Sequence, residues 1–219
     1  MCGRFTITLE PAIWQQEFDL NSVPSEWKPR YNVAPTQPVP VVMDAELRDV
    51  KMLRWGLIPF WSKDESIGNR LINARSETLQ EKPSFRNAFK QRRCLVLTDG
   101  FYEWQRPSKH GVPKVPYYFK LRNGKPFAFA GLWESWRTPD EEELHSCAII
   151  TCPPNELVAP IHNRMPVLLN NLNCWAWLED TNPVKLKSLL RPYPAEKMRT
   201  YPVGRWINNP KEDKPECVL

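Results

Sequence analysis

Residues 94–104 read CLVLTDGFYEW and carry the clearest fold signal in the chain. The apolar run at 94–98 predicts a short buried strand, which continues through an Asp-Gly pair into an aromatic run. Glu103 is the exception in that run, because an aromatic residue precedes it and another follows it. A carboxyl group held among aromatic rings has its pKa raised by desolvation, which suits proton transfer near neutral pH. The alternative for Glu103 is a strand edge where its carboxylate reaches solvent.

Short strands are predicted on both sides of this segment. Apolar or alternating runs place them at 2–9, 39–43, 50–55, 71–78, 116–121, 127–135, 145–152 and 198–203. The polar residues 44–46 predict a hairpin between the second and third of these strands. Asn123-Gly124 is a strong turn signal, so we expect a further hairpin between the strands that flank it. The Pro-rich segment 21–40 is predicted to be an ordered loop.

Short helices are predicted at the periphery. They are the segment that begins at Pro11 and the segments 82–93, 172–179 and 184–190. In the first, Trp14 and Phe18 lie four residues apart on the buried face. The second is amphipathic and basic, with Arg86, Lys90 and Arg93 on one face. Those cations are either solvated or in contact with phosphate.

Composition agrees with one domain of this kind. A chain of 219 residues, 42% of them apolar, is long enough to bury a core. The 23 Pro residues are spread through the chain and predict many fixed turns and short strands. We therefore predict a single α+β domain over residues 1–219, with mainly short antiparallel strands in a barrel-like core. The polar tail from about residue 208 is predicted to be irregular.

Charge and apolar runs restrict the partners. The net charge of +5 is compatible with a polyanionic partner. No apolar run approaches the roughly 20 residues of a membrane span, and none reads as a signal sequence. We expect a monomer without a membrane partner, located in the cytoplasm at the nucleoid. The six Cys residues form no CxxC pair. We expect thiols, no metal and no other cofactor.

The second residue offers unusual chemistry. Cys2 follows Met1 directly and becomes the first residue if Met1 is removed, which a small second residue permits. The product carries an α-amine and a thiol on one residue. The amine can condense with an aldehyde, after which the thiol can close a five-membered thiazolidine. The alternative is that Cys2 has no function, since one short motif has a high false-positive risk.

Three other regions could contribute to a site. The alternation around Asn73 and Arg75 places both side chains on one strand face, which is either solvated or functional. His162 lies in a loop between apolar segments, where a lone histidine is more often structural. Trp61 ends the apolar run 55–61, which is either core or a surface on which bases stack.

Six sequence motifs follow one another along the first 166 residues. They are MCGRF at 1–5, YNVAP at 31–35, WGLIP at 55–59, INARSET at 72–78, GFYEW at 100–104 and IHNRMP at 161–166. In type and order they resemble the SRAP family, whose members crosslink covalently to abasic sites in single-stranded DNA. Motifs of this length in the family's order are poorly explained by chance.

The resemblance implies a role for each matched residue. In this family the N-terminal cysteine, exposed by loss of the initiator methionine, is the nucleophile. Catalytic roles are thereby implied for Cys2, Asn73, Glu103 and His162. The residues for which DNA contacts are implied are Arg4, Pro35, Trp61, Arg75 and Arg164.

The predicted function is capture of abasic sites in single-stranded DNA as a thiazolidine on Cys2, in the response to DNA damage. Glu103 would supply the proton that dehydrates the first adduct. Asn73 would orient the amine or the sugar oxygens, and His162 would carry the proton of ring opening. If ring closure fails, β-elimination would give an abasic-site lyase activity. The resemblance also implies a peptidase-like self-removal of Met1.

Two other functions fit the same residues. The first is a thiol peptidase or amidase acting on peptides in trans, with Cys2 as nucleophile, His162 as base and Glu103 as the orienting group. The second is a non-catalytic binder of single-stranded nucleic acid, which would use the basic helix and the Trp-rich run. In that protein Cys2 would be dispensable.

Overall fold

The computed structural model describes residues 2–105 and 113–219. In these ranges the strands are β1 (Arg4–Ile7), β2 (Arg30–Val33), β3 (Pro38–Val42), β4 (Val50–Trp55), β5 (Asn73–Arg75), β6 (Arg93–Thr98), β7 (Gly100–Gln105), β8 (Val115–Leu121), β9 (Phe127–Arg137), β10 (Glu143–Cys152), β11 (Met165–Pro166), β12 (Leu168–Leu169) and β13 (Met198–Pro202). The α-helices are α1 (Pro11–Phe18), α2 (Arg86–Gln91), α3 (Asn171–Glu179) and α4 (Pro183–Leu189). The predicted α+β class, with short strands and short helices, is confirmed.

Five strands close into a barrel in the order β3, β4, β10, β9, β6 and back to β3. All of these pairings are antiparallel except the one between β4 and β10. Closure satisfies the hydrogen-bonding groups that an open sheet leaves at its edges. The strands β5 and β11 extend the pairing of β10, and β12 pairs with β9. The predicted barrel-like core is confirmed.

A second, antiparallel sheet packs on the barrel in the order β13, β8, β7, β1, β2. Phe5 of β1 lies 5.0 Å from Trp55 and 5.6 Å from Phe129 between ring centroids, so aromatic contacts join the two sheets. The segment 94–104 connects them, because β6 belongs to the barrel and β7 to the second sheet. At the junction the Asp99 carboxylate accepts from the Thr8 backbone N–H at 2.6 Å, which anchors β1.

The hairpin predicted across Asn123-Gly124 is wrong. The turn exists, with Gly124 at a φ of 72°, but the strands on either side enter different sheets. β8 pairs with β7 and β13, whereas β9 pairs with β6, β10 and β12. A turn signal predicts a reversal of direction, and it does not determine which strand becomes the partner.

The ordered loop predicted over 21–40 is wrong in part, because β2 lies within it and β3 begins there. Proline argues against a central strand, since it has no N–H to donate. β3 pairs with β6 only at Val41 and Val42. Pairing with β6 therefore requires no N–H group from Pro38 or Pro40. The two prolines are for this reason compatible with a strand inside the barrel.

Most other strands and helices agree with the prediction, but the strand predicted at 71–78 is confirmed only at Asn73–Arg75, since Ser76–Thr78 forms a 3-10 turn. The hairpin of β3 and β4, the strand β10 and the return of the chain in β13 are present. In α1 the side chains of Trp14 and Phe18 are buried. Asn170 and Asn182 accept from backbone N–H groups at the starts of α3 and α4, as expected of N-caps. Among the described residues no helix is long and apolar enough to cross a membrane.

The tail from about residue 208 has little regular structure, as predicted, but it is anchored to the rest of the chain. We name residues 205–218 the C-terminal strap. It contains two 3-10 turns, Arg205–Asn208 and Pro215–Val218, and the side chain of Cys217 in the second is fully buried. The polar composition of the segment gave no sign of this anchoring, because both hydrogen bonds and apolar burial hold the segment.

The basic helix is shorter than predicted. α2 ends at Gln91, so Arg93 is the first residue of β6 and shares no helical face with Arg86 and Lys90. The guanidinium of Arg93 donates to the carbonyl oxygens of Trp177, Leu178 and Asp180 at 2.7–3.0 Å, where α3 ends. These bonds satisfy carbonyl groups that have no partner within the helix. The prediction of one basic face is therefore wrong for Arg93.

Replacement of Arg93 by Ala should lower the free energy of unfolding by about 2 kcal/mol, because it removes charge-assisted hydrogen bonds from carbonyl groups at a packed helix end. The matched control is Arg86→Ala on exposed α2, which should change it by about 0.5 kcal/mol or less. Urea unfolding of both variants measures the difference. Equal effects would contradict the structural role of Arg93.

Candidate active site

Four of the predicted site residues come from four separate elements and lie in one cluster. Cys2 precedes β1, Asn73 begins β5, Glu103 lies on β7 and His162 occupies the loop before β11. Asn73 Nδ2 donates to the Cys2 carbonyl oxygen at 2.8 Å. Glu103 Oε1 lies 3.8 Å from His162 Nδ1. The negative charge of Glu103 acts on the Cys2 thiol, which connects the two pairs.

Cys2 is buried, with no solvent-exposed surface. Burial raises its pKa well above the ordinary range, and the charge of Glu103 raises it further. The Sγ atom lies 3.8 Å from the carbonyl oxygen of Arg4, to which it donates. At neutral pH this residue is therefore a thiol and not a thiolate.

Glu103 is 2% exposed, and this burial raises its pKa to about 7. The predicted upward shift is confirmed, and the alternative of a solvent-reaching glutamate is wrong. The reason is position, since β7 pairs with β1 on one side and with β8 on the other. The carboxyl group is thus poised to gain or lose a proton near neutral pH.

The imidazole of His162 is oriented by the backbone of its own loop. Nδ1 lies 3.1 Å from the backbone N–H and 3.1 Å from the carbonyl oxygen of Arg164. When Nδ1 accepts from that N–H, the neutral ring carries its proton on Nε2. The contact therefore couples the tautomer of His162 to the loop conformation.

Asn73 combines one occupied and one available group. Its Nδ2 is bonded to Cys2, whereas its Oδ1 is buried and accepts no hydrogen bond from the residues that the structure describes. A buried acceptor without a donor is costly, so such a position is suited to a ligand N–H or O–H. The predicted alternation is present, with Arg75 exposed two residues along the strand.

The arginine residues expected to contact DNA have different surroundings. Arg75 is exposed. Arg164 makes a bidentate pair with Glu77, at 2.5 and 2.9 Å, and also donates to the carbonyl oxygen of Thr151 at 2.6 Å. The pair holds the pKa of Glu77 below its ordinary value. Arg164 is therefore held in one orientation.

Arg4 lies on the side of β1 that faces the C-terminal strap. Its Nη1 donates to Asn32 Oδ1 at 2.5 Å and to the carbonyl oxygen of Ile207 at 2.7 Å. Its Nη2 lies 3.5 Å from the carbonyl oxygen of Asn208. The guanidinium is thus held by protein acceptors.

The apolar run 55–61 is divided between core and surface. Its first five residues are buried, whereas Phe60 is 54% and Trp61 is 50% exposed. The run is therefore core at its start and surface at its end, and base stacking on that surface stays a prediction. Pro35 is partly exposed. An exposed indole of this kind offers a face for stacking.

Sequence reasoning gave no role to Glu77 or Asn32, although both lie within the quoted motifs. Asn32 is fully buried, which is unusual for an amide side chain and calls for several hydrogen-bond partners. No signal in the sequence identified it, because the segment 21–40 was predicted to be a loop. Glu77 had no signal either, since its partner is distant in sequence.

Among the described residues no group of three or more His, Cys, Asp or Glu side chains is arranged to hold a metal ion. The site instead collects a thiol, a carboxyl group, an imidazole and an amide at the start of the chain. Fold and site together define a small α+β barrel protein that buries its second residue, a cysteine, beside a carboxyl group.

The chain belongs to the SRAP family, described as SOS response associated peptidase, whose model matches residues 1–210. It is 45% identical to the abasic site processing protein YoqW of Bacillus subtilis (strain 168), over all of this chain and 99% of that protein. It is 30% identical to the abasic site processing protein HMCES of Xenopus tropicalis, over all of this chain and 78% of that protein.

Solved structures support the fold. A crystal structure of a protein from Bacteroides thetaiotaomicron superposes with a TM-score of 0.84 at 27% identity, covering 99% of this chain and 98% of that one. A second, from Bordetella bronchiseptica, superposes with a TM-score of 0.80 at 24% identity, covering 93% of this chain and 100% of that one.

The raised pKa of Glu103 predicts a pH dependence of stability. In the folded protein this carboxyl group keeps its proton up to about pH 7. In an unfolded chain it loses the proton near its ordinary pKa of about 4.3. The stability that this group contributes is therefore complete below about pH 4.3 and is lost as the pH rises through about 7. Between pH 4 and pH 8 the wild type should therefore lose about 3 kcal/mol of unfolding free energy that the Glu103→Gln variant does not lose.

Urea unfolding at pH 4, 6 and 8 measures this difference. The control is Glu81→Gln on the exposed surface, whose pH dependence should parallel that of wild type. If the Glu103→Gln curve also parallels wild type, the carboxyl group does not carry a raised pKa.

Proposed function

We propose that this protein captures abasic sites in single-stranded DNA covalently, through the amine and thiol of Cys2. The observation that carries the proposal is the burial of a carboxyl group with a pKa of about 7 beside the buried Cys2 thiol. The printed names of relatives with 45% and 30% identity, abasic site processing proteins, support a substrate of this class.

The first step uses the amine. An abasic deoxyribose is in equilibrium with its ring-opened aldehyde, and His162 carries the proton of ring opening. The α-amine of Cys2, which exists once Met1 is removed, has an ordinary pKa of about 7.7–8.0, so a neutral fraction is present near pH 7. Its nitrogen attacks the aldehyde carbon to give a carbinolamine. Met1 itself lies outside the described residues.

The second step needs an acid. Loss of water from the carbinolamine to give the imine requires protonation of its hydroxyl group. Glu103 is about half protonated near pH 7 and can donate that proton. The Oδ1 atom of Asn73 accepts from the amine N–H or from a sugar hydroxyl, which orients the reacting atoms.

The third step closes the ring. The second step leaves a protonated imine, whose nitrogen keeps its own hydrogen, and leaves Glu103 as a carboxylate. The sulfur of Cys2 adds to the imine carbon, and the C=N electron pair moves to nitrogen. Since burial keeps the thiol protonated, the reaction needs a base at this moment. Glu103 accepts the thiol proton and returns to its acid form. Water is the only product besides the thiazolidine.

The same intermediate explains a lyase side activity. An imine acidifies the adjacent carbon of the sugar, so slow ring closure leaves time for β-elimination and strand cleavage. A compact site that holds the thiol close to the imine carbon favours closure over elimination.

We assign DNA binding to two arginine side chains, to the exposed indole of Trp61 and to Pro35. Arg75 and Arg164 would contact phosphates, which gives affinity without sequence preference and with strong salt dependence. Trp61 and Pro35 would contact bases, and an aromatic face accepts any base. For Arg164 the Glu77 carboxylate competes with phosphate, while the same pair holds the guanidinium in place.

The alternative of a thiol peptidase acting in trans is less well supported. Such enzymes attack with a thiolate, which is favoured by a lowered cysteine pKa. Burial does the opposite to Cys2. Removal of Met1, by an aminopeptidase or by the protein itself, is a requirement of the proposal, and intact-mass measurement of the active protein should show that Met1 is absent.

Mature protein mixed with single-stranded DNA that contains one abasic site should give a heat-stable, slower band on a denaturing gel. Cys2→Ala should abolish the band, because it removes the thiol that makes the linkage stable. Cys2→Ser keeps the amine and should give a product only after reduction with borohydride.

The matched control is Cys174→Ala, which removes another buried thiol and should leave the crosslink unchanged. A crosslink by Cys2→Ala equal to that of wild type would overturn the aminothiol mechanism and favour a non-catalytic binder. Turnover of a peptide substrate without any DNA adduct would favour the peptidase.

Replacement of Glu103 by Gln should slow the single-turnover crosslinking rate by about 100-fold, as expected for loss of a general acid. Binding of intact single-stranded DNA should stay near that of wild type. The rate of wild type should fall above about pH 7 as Glu103 loses its proton, and this limb should be absent in the variant. Comparable losses of rate and binding would contradict an acid role.

A further inference from the structure

The C-terminal strap is bonded to the strands that carry the site. Asp213 accepts from the backbone N–H groups of Tyr31 and Asn32, at 2.5 and 3.0 Å, and pairs with Arg30 at 3.0 Å. The hydroxyl of Tyr102 on β7 contacts the carbonyl oxygen of Tyr31 at 2.7 Å and that of Cys217, in the strap, at 3.3 Å. These contacts tie the strap to the outer side of β2 and β7.

Asn32 is the centre of this network. It is fully buried, and its Nδ2 donates to the carbonyl oxygens of Asn209 and Glu212 at 2.9 and 2.7 Å. Its Oδ1 accepts from Arg4 at 2.5 Å. One amide thus bonds both the strap and the first strand, and its loss would leave buried polar groups without partners.

Arg4 connects this hydrogen-bond network to Cys2. It lies two positions after Cys2, and its own carbonyl oxygen accepts from the Cys2 thiol. Its backbone is placed opposite Tyr102 by strand pairing, next to Glu103. Its guanidinium bonds to Asn32 and to the strap carbonyl of Ile207. A displacement of Arg4 therefore changes the position of Cys2 relative to Glu103.

We propose that Arg4 and Asn32, clamped by the C-terminal strap, are positioning residues that hold Cys2 against Glu103, and that Arg4 is not a phosphate contact. This inference rests on the proposed function, because its main readout is the crosslinking rate. It assigns to the C-terminal strap a role in chemistry that takes place at the start of the chain.

The test separates rate from binding. The crosslinking rate is measured at saturating abasic DNA, together with the DNA concentration that gives half of the maximal rate. Affinity for intact single-stranded DNA is measured over a range of salt concentrations. Loss of one phosphate contact lowers the slope of log affinity against log salt by about 0.7 for a single strand.

Arg4→Ala should lower the maximal rate by about tenfold, since small misplacements of reacting groups are costly, with the half-saturating concentration and the salt slope unchanged. Arg4→Lys, which keeps one donor, should recover part of the rate. Asp213→Ala loosens the strap without changing the charge on Arg4, and should lower the rate about threefold with the same salt slope.

The matched control is Arg75→Ala, which should lower the salt slope by about 0.7 and raise the half-saturating concentration. A lower salt slope in Arg4→Ala, with or without a loss of rate, would overturn the inference and assign the guanidinium to phosphate. Unchanged rate and slope in both Arg4→Ala and Asp213→Ala would overturn it as well. If wild type forms no crosslink, the proposed function fails, whereas the salt slopes still test Arg4.

Discussion

The pairing of β1 with β7 is the constraint on which the site depends. Its register sets Arg4 opposite Tyr102 and Phe5 opposite Phe101, so the start of the chain lies beside Glu103. Aromatic packing on the barrel fixes the sheet that contains both strands. A shift of one residue would turn every side chain of β1 to the opposite face and would separate the thiol from the carboxyl group. The position of the reactive residue is therefore a consequence of sheet register and not of local sequence.

Burial shifts both titratable groups of this site in the same direction. Desolvation raises the pKa values of the Cys2 thiol and the Glu103 carboxyl group. The thiol therefore keeps its proton at neutral pH, whereas Glu103, with a pKa of about 7, can both donate and accept one. A reaction that begins with a thiolate would need the opposite environment for Cys2.

Three arginine residues that a motif comparison treats alike have three different environments. Arg75 is exposed, Arg164 is paired with Glu77, and Arg4 is bonded to Asn32 and the C-terminal strap. The guanidinium of Arg75 is open to solvent, whereas those of Arg164 and Arg4 already donate to protein acceptors. The acceptors also differ, since Arg164 pairs with a carboxylate and Arg4 bonds to uncharged amide and carbonyl oxygens. The motifs alone do not distinguish these three environments.

Local sequence patterns were enough to predict the class of fold, most strands and helices, and the raised pKa of Glu103. These patterns are apolar periodicity and an acid between aromatic residues. The sequence did not predict the partners of β8 and β9, the strands within 21–40 or the anchored strap. Strand partners depend on contacts between distant segments, and buried hydrogen bonds leave no periodic signal. The meeting of Cys2, Asn73, Glu103 and His162 is a property of the tertiary structure, because their elements belong to different parts of the barrel and its covering sheet.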